Sequence, residues 1–479
     1  MKINVVLIGI AWAAARVLAA EMAMAPIVLA AQANREQPDR AKVLQTKTLT
    51  PQQRAEACLA MAETCLAEKN YPAAREACAQ ARAATSDVQW TSQAQMVLAR
   101  SYLQQRNYPV ARQEFAKLLA MDGLERQLKW EAEALLGAIH LVPLVRTDHP
   151  RLFFNAETWP AVKSRALTAE QAHFNQLKAR VDRIPLGEIR TGDWASPDYG
   201  SAQVGVMEAA FVYRVTGDPA LLEKVRRMLR GTAGIFPARR GGGERAYPSI
   251  AWLAALDWVW NDLVPPEREA LAEAMLRYAW DWVSEIKSQR VRRNWLGAWP
   301  HYYVGSMFGF AGIALLEPSA DDVAYARALS LLGIGFKQYQ ERFTSLLHTG
   351  GDDGVWQTNI EYDLVEVPNA VFAFLYAWQP ATGSEMPSDW AVVGVSPHFA
   401  LRMVVGMGKN HIKHLNYAGH SNGAWGFGQV YSRALYDHLG HFMHFFGQSQ
   451  PQEAAIAHYL RRRMVETGAG PSEGQYPVF

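Results

Sequence analysis

Cysteine is scarce in this 479-residue chain: Cys58, Cys65 and Cys78 are all there is, confined to one short stretch. An odd count so placed argues against a disulfide framework. Cys58 and Cys65, seven residues apart, can share a helix face as small buried thiols. An excess of one charge is missing as well. With 48 Lys and Arg against 46 Asp and Glu, the net charge of +2 gives no general electrostatic case for nucleic acid. Past the N-terminus no apolar run approaches the roughly 20 residues a membrane span needs. Sustained strand alternation is absent before the final residues, which excludes a βα order and a doubly wound sheet. No cofactor motif and no metal-ligand set stands out.

What is present begins with "MKINVVLIGIAWAAARVLAAEMAMAPIVLAAQA". Lys2, an apolar region and the small-x-small pattern Ala31-Gln32-Ala33 read as a signal peptide over residues 1–33, so a periplasmic or secreted protein is expected. Arg16 and Glu21 interrupt the run, and a charge at a bilayer centre costs about 2.5 kcal/mol or more. Within 34–147, "AEKNYPAAREACAQA" is echoed by "QQRNYPVARQEFAKL", with Tyr71 and Tyr108 in register 37 residues apart. Each copy reads as helix, Asn-Tyr-Pro turn, helix, with Pro72 and Pro109 in a first helical turn. The spacing is near that of tetratricopeptide-type repeats, whose hairpins bury their apolar faces by stacking. Such a segment offers a surface for a protein partner or serves as a spacer. "VPLVRTDHPRLFFN" then marks a change, reading as an extended segment. From 148 to 465 apolar residues recur at helical spacing, with breaks at "TGDP", "RRGGGER", "LVPPER", "LEPSADD", "HTGGDDG" and "QPATGSEMPSD". The expected fold is therefore all-α, helical hairpins set around a ring.

Several stretches carry chemistry. "GDDGVWQTNIEYDLVEVPNAV" (351–371) opens as a turn and closes as a buried helix, with Trp356, Asn359 and Tyr362 between. "RVRRNWLGAWPHYY" brings Asn294 and His301 together with three Arg, and "RRGGGERAYPS" is a Gly-rich, basic loop bearing Arg240 and Arg245 without the spacing of a P-loop. "NYAGHSNGAWG" holds His420 and Asn422. His438, His441 and His444 recur every three residues, and His411 and His414 stand in "HIKH"; neither set has a distant matching ligand group, so both read as helix-face or packing residues.

Taken together, "HPRLFFNAETWPAVKSRA", "AAFVYRVTGDPALLEKVRRML", "ALDWVWNDLVPPEREALAEAM", "NWLGAWPHYYVGSMFGFAGIALL" and "DGVWQTNIEY" resemble, in order, the catalytic module of heparinase II/III-type and alginate-type polysaccharide lyases, over residues 149–450. The resemblance implies an (α/α) toroid, here 148–465, normally followed by a β-sandwich for which 466–479 leave no room. It implies β-elimination on an acidic polysaccharide. Tyr362 falls where the family has its catalytic tyrosine, and His301 where it neutralises a carboxylate or moves a proton. Asn294, Asn359, Arg245, Trp356, His420 and Asn422 would bind substrate. Thr358-Asn359 replace the family's Glu-Gly, and Pro300 stands where an Asn-His pair is usual. Two rival expectations differ in class: a glycoside hydrolase using carboxylates among Asp352, Asp353, Glu361 and Glu244, and a non-catalytic scaffold that holds a glycan.

Overall fold

The computed structural model describes residues 49–184, 197–234, 246–287, 307–350, 367–385, 390, 396–408, 411–414 and 429–466. The described residues are all-helical apart from one short hairpin, and they fall in two compact units divided between Ala132 and Glu133. None of the described helices is long and apolar enough to cross a membrane.

The first unit holds α1 (Pro51–Ala67), α2 (Tyr71–Ala84), α3 (Val88–Gln104) and α4 (Tyr108–Leu119). The echoed turns are built alike, bond for bond. At the end of α1, Lys69 takes a left-handed φ of 61°, its N–H reaches Leu66 O, and Asn70 N–H reaches Cys65 O. At the end of α3, Arg106 has φ 57°, its N–H reaches Leu103 O, and Asn107 N–H reaches Tyr102 O. This is the Schellman stop, in which two otherwise orphaned carbonyls are satisfied. The same asparagine then caps the next helix: Asn70 Oδ1 accepts from Ala73 N and Asn107 Oδ1 from Val110 N. Small residues (Ala55, Ala62, Ala74, Ala77, Ala81 and Ala94, all fully buried) let the helices approach closely. Cys58 and Cys78 are buried among them as free thiols, Cys65 is half-buried, and burial pushes the Cys78 thiol up to about 12.

α5 (Arg126–Leu141) spans the division. The second unit continues with α6 (Trp159–Leu167), α7 (Gln171–Arg183), α8 (Pro197–Thr216), α9 (Pro219–Ala233), α10 (Ala246–Trp258), α11 (Pro265–Lys287), α12 (Phe308–Leu315), α13 (Asp322–Gly350) and α14 (Val367–Thr382). The breaks expected at "TGDP", "LVPPER", "LEPSADD" and "QPATG" separate successive helices, with Gly217 (φ 74°) and Gly383 (φ 65°) supplying left-handed stops.

Two rows of helices result. α8, α10, α12 and α14 are neighbours in that order, while α9 packs against α11 and α11 against α13. The rows differ in pattern. Every residue of α12 is buried, as is every residue of α10 from Ser249 to Trp258, so these helices are covered on all sides. α9 instead buries only Leu221, Lys224, Val225, Met228, Leu229 and Thr232, a single face. Glycine sets the gap between α12 and α13: a Cβ on Gly335 would lie 2.0 Å from Gly309 N, and one on Gly312 2.3 Å from Leu332 N.

The chain closes with α15 (Pro397–Met403), β1 (Val404–Gly408), β2 (His411–His414), α16 (Gln429–Phe446) and α17 (Pro451–Glu466). β1 and β2 pair antiparallel, from Val404 opposite His414 to Gly408 opposite His411. This short hairpin is the one pair of strands among the described residues and forms no βα order. Four residues on β2 and an irregular register near Val404 made its alternation too short to stand out.

Candidate functional site

All eight residues that sequence reasoning assigned to the site, Tyr362, His301, Asn294, Asn359, Arg245, Trp356, His420 and Asn422, lie outside the described residues. So do Asp352, Asp353, Glu361 and Glu244, and the N-terminal leader. What the structure describes is the helical frame into which their segments feed.

One strap, residues 146–159, holds the C-terminal ends of the inner helices. Its anchor is a buried knot of charge. His149 lies between two carboxylates, Nδ1 2.6 Å from Asp257 Oδ1 and Nε2 2.8 Å from Glu317 Oε1. A carboxylate oxygen thus faces each of the two ring nitrogens. Asp257, fully buried at the end of α10, turns its other oxygen to the backbone N–H groups of Arg151 and Leu152, both at 2.8 Å. Arg151, also fully buried, donates to Ile313 O and Leu316 O at the end of α12, to Thr147 O and Asp148 O within the strap, and to Glu317 at 2.6 Å. Burial alone would raise Glu317, but the bond from His149 and the Arg151 guanidinium outweigh it and hold the carboxyl below its usual range. Trp260 stacks on His149 at 4.5 Å, Asn261 Nδ2 donates to His149 O, and Trp258 Nε1 to Leu152 O.

The same strap reaches the other two inner helices. Arg146 N–H donates to Ala381 O and Asn155 Nδ2 to Pro380 O, at the end of α14. Trp159 meets Phe211 edge-on and lies under the Arg214 guanidinium, near the end of α8. The expected extended segment is therefore a bent strap. Its N–H groups are spent on the Asp257 carboxylate rather than on a strand ladder, and Phe153 takes a left-handed φ of 68° with its ring against Trp258 and Phe310.

With four C-terminal ends on one strap, the inner helices run parallel and their N-terminal ends lie at the other end of the array. In sequence, α10 follows Arg245, α12 follows Asn294 and His301, and α14 follows Trp356, Asn359 and Tyr362. α16 runs alongside α14 in the same sense, since Phe372 meets His438 and Tyr376 meets His444; it follows His420 and Asn422.

The three histidines of α16 form an aromatic cluster with α14. Tyr376 Oη is 3.0 Å from His441 Nδ1, and its ring stacks on His444. Burial, reinforced by His438, His444 and Arg461, pushes His441 down to about 3, and burial pushes the Tyr376 phenol up. Both are thus held neutral. A tyrosine that is to take a proton needs its pKa lowered, so this dyad is packing, not chemistry. Among the described residues no group of three or more His, Cys, Asp or Glu is arranged to hold a metal ion.

In the sequence the His149 segment stands out only by its resemblance, and the knot does not show. A signal was available: Asp257 interrupts "AWLAALDWVW", and a lone charge in a fully apolar helix requires a partner. Compared with known protein families and with curated proteins, the chain matches none.

Proposed function

We propose that the second unit is an (α/α) toroid that cleaves a uronate-containing polysaccharide by β-elimination, and that the first unit is a tetratricopeptide-like helical repeat. One observation carries the reading. The inner helices are parallel, and each segment bearing candidate residues leads into the N-terminal end of one of them or of α16. In the sequence, candidate residues up to 177 positions apart, from Arg245 to Asn422, each stand before one of these helix starts. Helix N-termini carry partial positive charge, which suits a carboxylate-bearing substrate.

The chemistry assigns each residue a task. His301, Asn294 and Asn359 neutralise the uronate carboxylate, so that negative charge developing at C5 is tolerated. Tyr362 removes the C5 proton; the electron pair forms the C4–C5 double bond as the C4–O bond breaks, and the proton passes to the leaving oxygen. Arg245, His420 and Asn422 bind flanking sugars, and Trp356 stacks on one. An N-terminal leader suits a polymer met outside the cytoplasm.

The test is incubation with alginate-, heparan-, chondroitin- and hyaluronan-type polymers, following the ultraviolet absorbance of an unsaturated uronate. Absorbance with the wild type and none with Tyr362→Phe is expected. New reducing ends without absorbance, lost on replacing the carboxylates between 352 and 361, would make the chain a hydrolase. Binding without turnover would make it a scaffold.

A further inference from the structure

The first unit carries a crevice of about 380 Å³ between α2 and α3 that the proposed chemistry does not use. One face of α2 supplies Arg75, Glu76, Ala79 and Arg82, and α3 supplies Leu98 and Tyr102. We propose that this crevice binds the acidic polysaccharide itself, Arg75 and Arg82 each gripping a uronate carboxylate while a sugar ring lies over Leu98 and Ala79. The inference rests on the reading of an acidic glycan as this chain's ligand.

Both guanidiniums are braced by neutral groups. Arg75 lies 4.8 Å over the Tyr102 ring and donates one bond, of 2.6 Å, to Gln105 Oε1. Arg82 donates to Gln95 Oε1, and Gln95, only 3% exposed, is itself fixed from behind by giving its amide to Glu114 O and Oε2 at 3.0 and 2.7 Å. Each fork is therefore oriented before a ligand arrives, which lowers the ordering cost of binding. Among the described residues neither has a carboxylate within 4 Å, unlike Arg100 with Glu63, Arg146 with Asp148 or Arg226 with Glu267. An arginine keeps five N–H donors in a planar fork matched to a carboxylate. One is spent here on each side.

The spacing selects the ligand. Arg75 and Arg82 are seven residues apart, two helical turns, or about 10 Å along α2. Two uronates separated by one intervening sugar in an extended chain present their carboxylates at a comparable interval on one side. Glu76, which accepts from Gln80 Nε2 at 3.1 Å, stands on the same face and offsets part of the charge, so the crevice is not a general polyanion patch. The apolar floor suits the C–H face of a sugar better than the polar backbone of an acidic peptide.

The experiment measures binding of full-length protein to a polyuronate chain and to short saturated uronate oligosaccharides, in a Tyr362→Phe background, at low and at physiological salt. The double variant R75Q/R82Q is expected to weaken long-chain affinity by about tenfold or more, as two charge-assisted forks are lost. Arg75→Lys with Arg82→Lys, which keeps charge but not the fork, is expected to restore only part. In the Tyr362-intact protein the same Gln variants should leave turnover of the shortest cleavable oligosaccharide unchanged. Unaltered long-chain affinity overturns the proposal. So does equal competition by polyglutamate at matched charge, which would make the crevice a protein-docking site. If no polymer is cleaved but binding still depends on the two arginines, the lyase reading fails and this one stands. Cleavage with arginine-independent binding has the reverse meaning.

Discussion

Replacing Asp257 should loosen the strap that ties the ends of the inner helices together. Its carboxylate accepts from His149 Nδ1 at 2.6 Å and from two backbone N–H groups at 2.8 Å, with no exposure to solvent. Asp257→Ala leaves one side of a buried ion pair uncompensated, a loss of about 3–5 kcal/mol. Two orphaned N–H groups add about 1–3 kcal/mol each where water cannot reach them. The sum rivals the whole stability of a typical domain, about 5–15 kcal/mol, so this variant should fold poorly. Asp257→Asn keeps an oxygen for the two N–H groups but replaces the acceptor facing His149 Nδ1 by an amide donor, so it should cost less than alanine while still losing about 3 kcal/mol. The assay is urea unfolding followed by tryptophan fluorescence, which Trp258 and Trp260 beside the knot report, together with the rate of tryptic cleavage at Arg146 and Arg151. Glu273→Gln, in an exposed pair with Arg277, is the control and should shift stability by under about 0.5 kcal/mol. A loss below about 1 kcal/mol for Asp257→Ala, with no faster cleavage of the strap, would refute the reasoning.

Gly335→Ala should cost about 3 kcal/mol or more, because the new methyl meets the backbone of Gly309 and not a side chain able to turn away; differential scanning calorimetry reads it. pH supplies a further prediction through His441. Its folded pKa, about 3, lies below the unfolded value of about 6.5, so the unfolded state binds the extra proton. Stability should therefore rise with pH between about 3 and about 6.5 and level off above, and His441→Phe should flatten that slope in urea titrations. Glu317 adds to the acid side in the same direction. Its depressed carboxyl contributes stability that is present above the unfolded pKa and lost as pH falls through the folded one.

Most helices were legible because their apolar spacing and their stops agree. "TGDP" and "LEPSADD" end helices in the structure where their Gly, Pro and Asp say they should. The paired Asn-Tyr-Pro turns were legible as an echo, but their mechanism was not, since nothing in the sequence says that Lys69 and Arg106 would take left-handed φ. The strap was misread as extended because "RLFF" has strand-like residues; a carboxylate 106 positions from Arg151 captures its N–H groups, and contacts of that range leave no local trace. The small β1–β2 hairpin escaped for want of length. The parallel order of the inner helices was implicit in their alternation with outer ones, yet it took the shared strap to fix which ends meet. The proposed chemistry rests on resemblance alone: Tyr362 and His301 are single residues in aromatic stretches of sequence, and no local pattern there separates a tyrosine that would react from a packed one such as Tyr376.

Digestion of a uronate polymer in water enriched in heavy oxygen, with mass analysis of the new chain ends, tests the central claim most directly. Elimination consumes no water, so the account predicts products that carry no heavy oxygen from the solvent at the cleaved bond and are lighter by one water than hydrolysis products, with the reaction lost in Tyr362→Phe. Heavy oxygen built into the new reducing end, undiminished by that substitution, would contradict it.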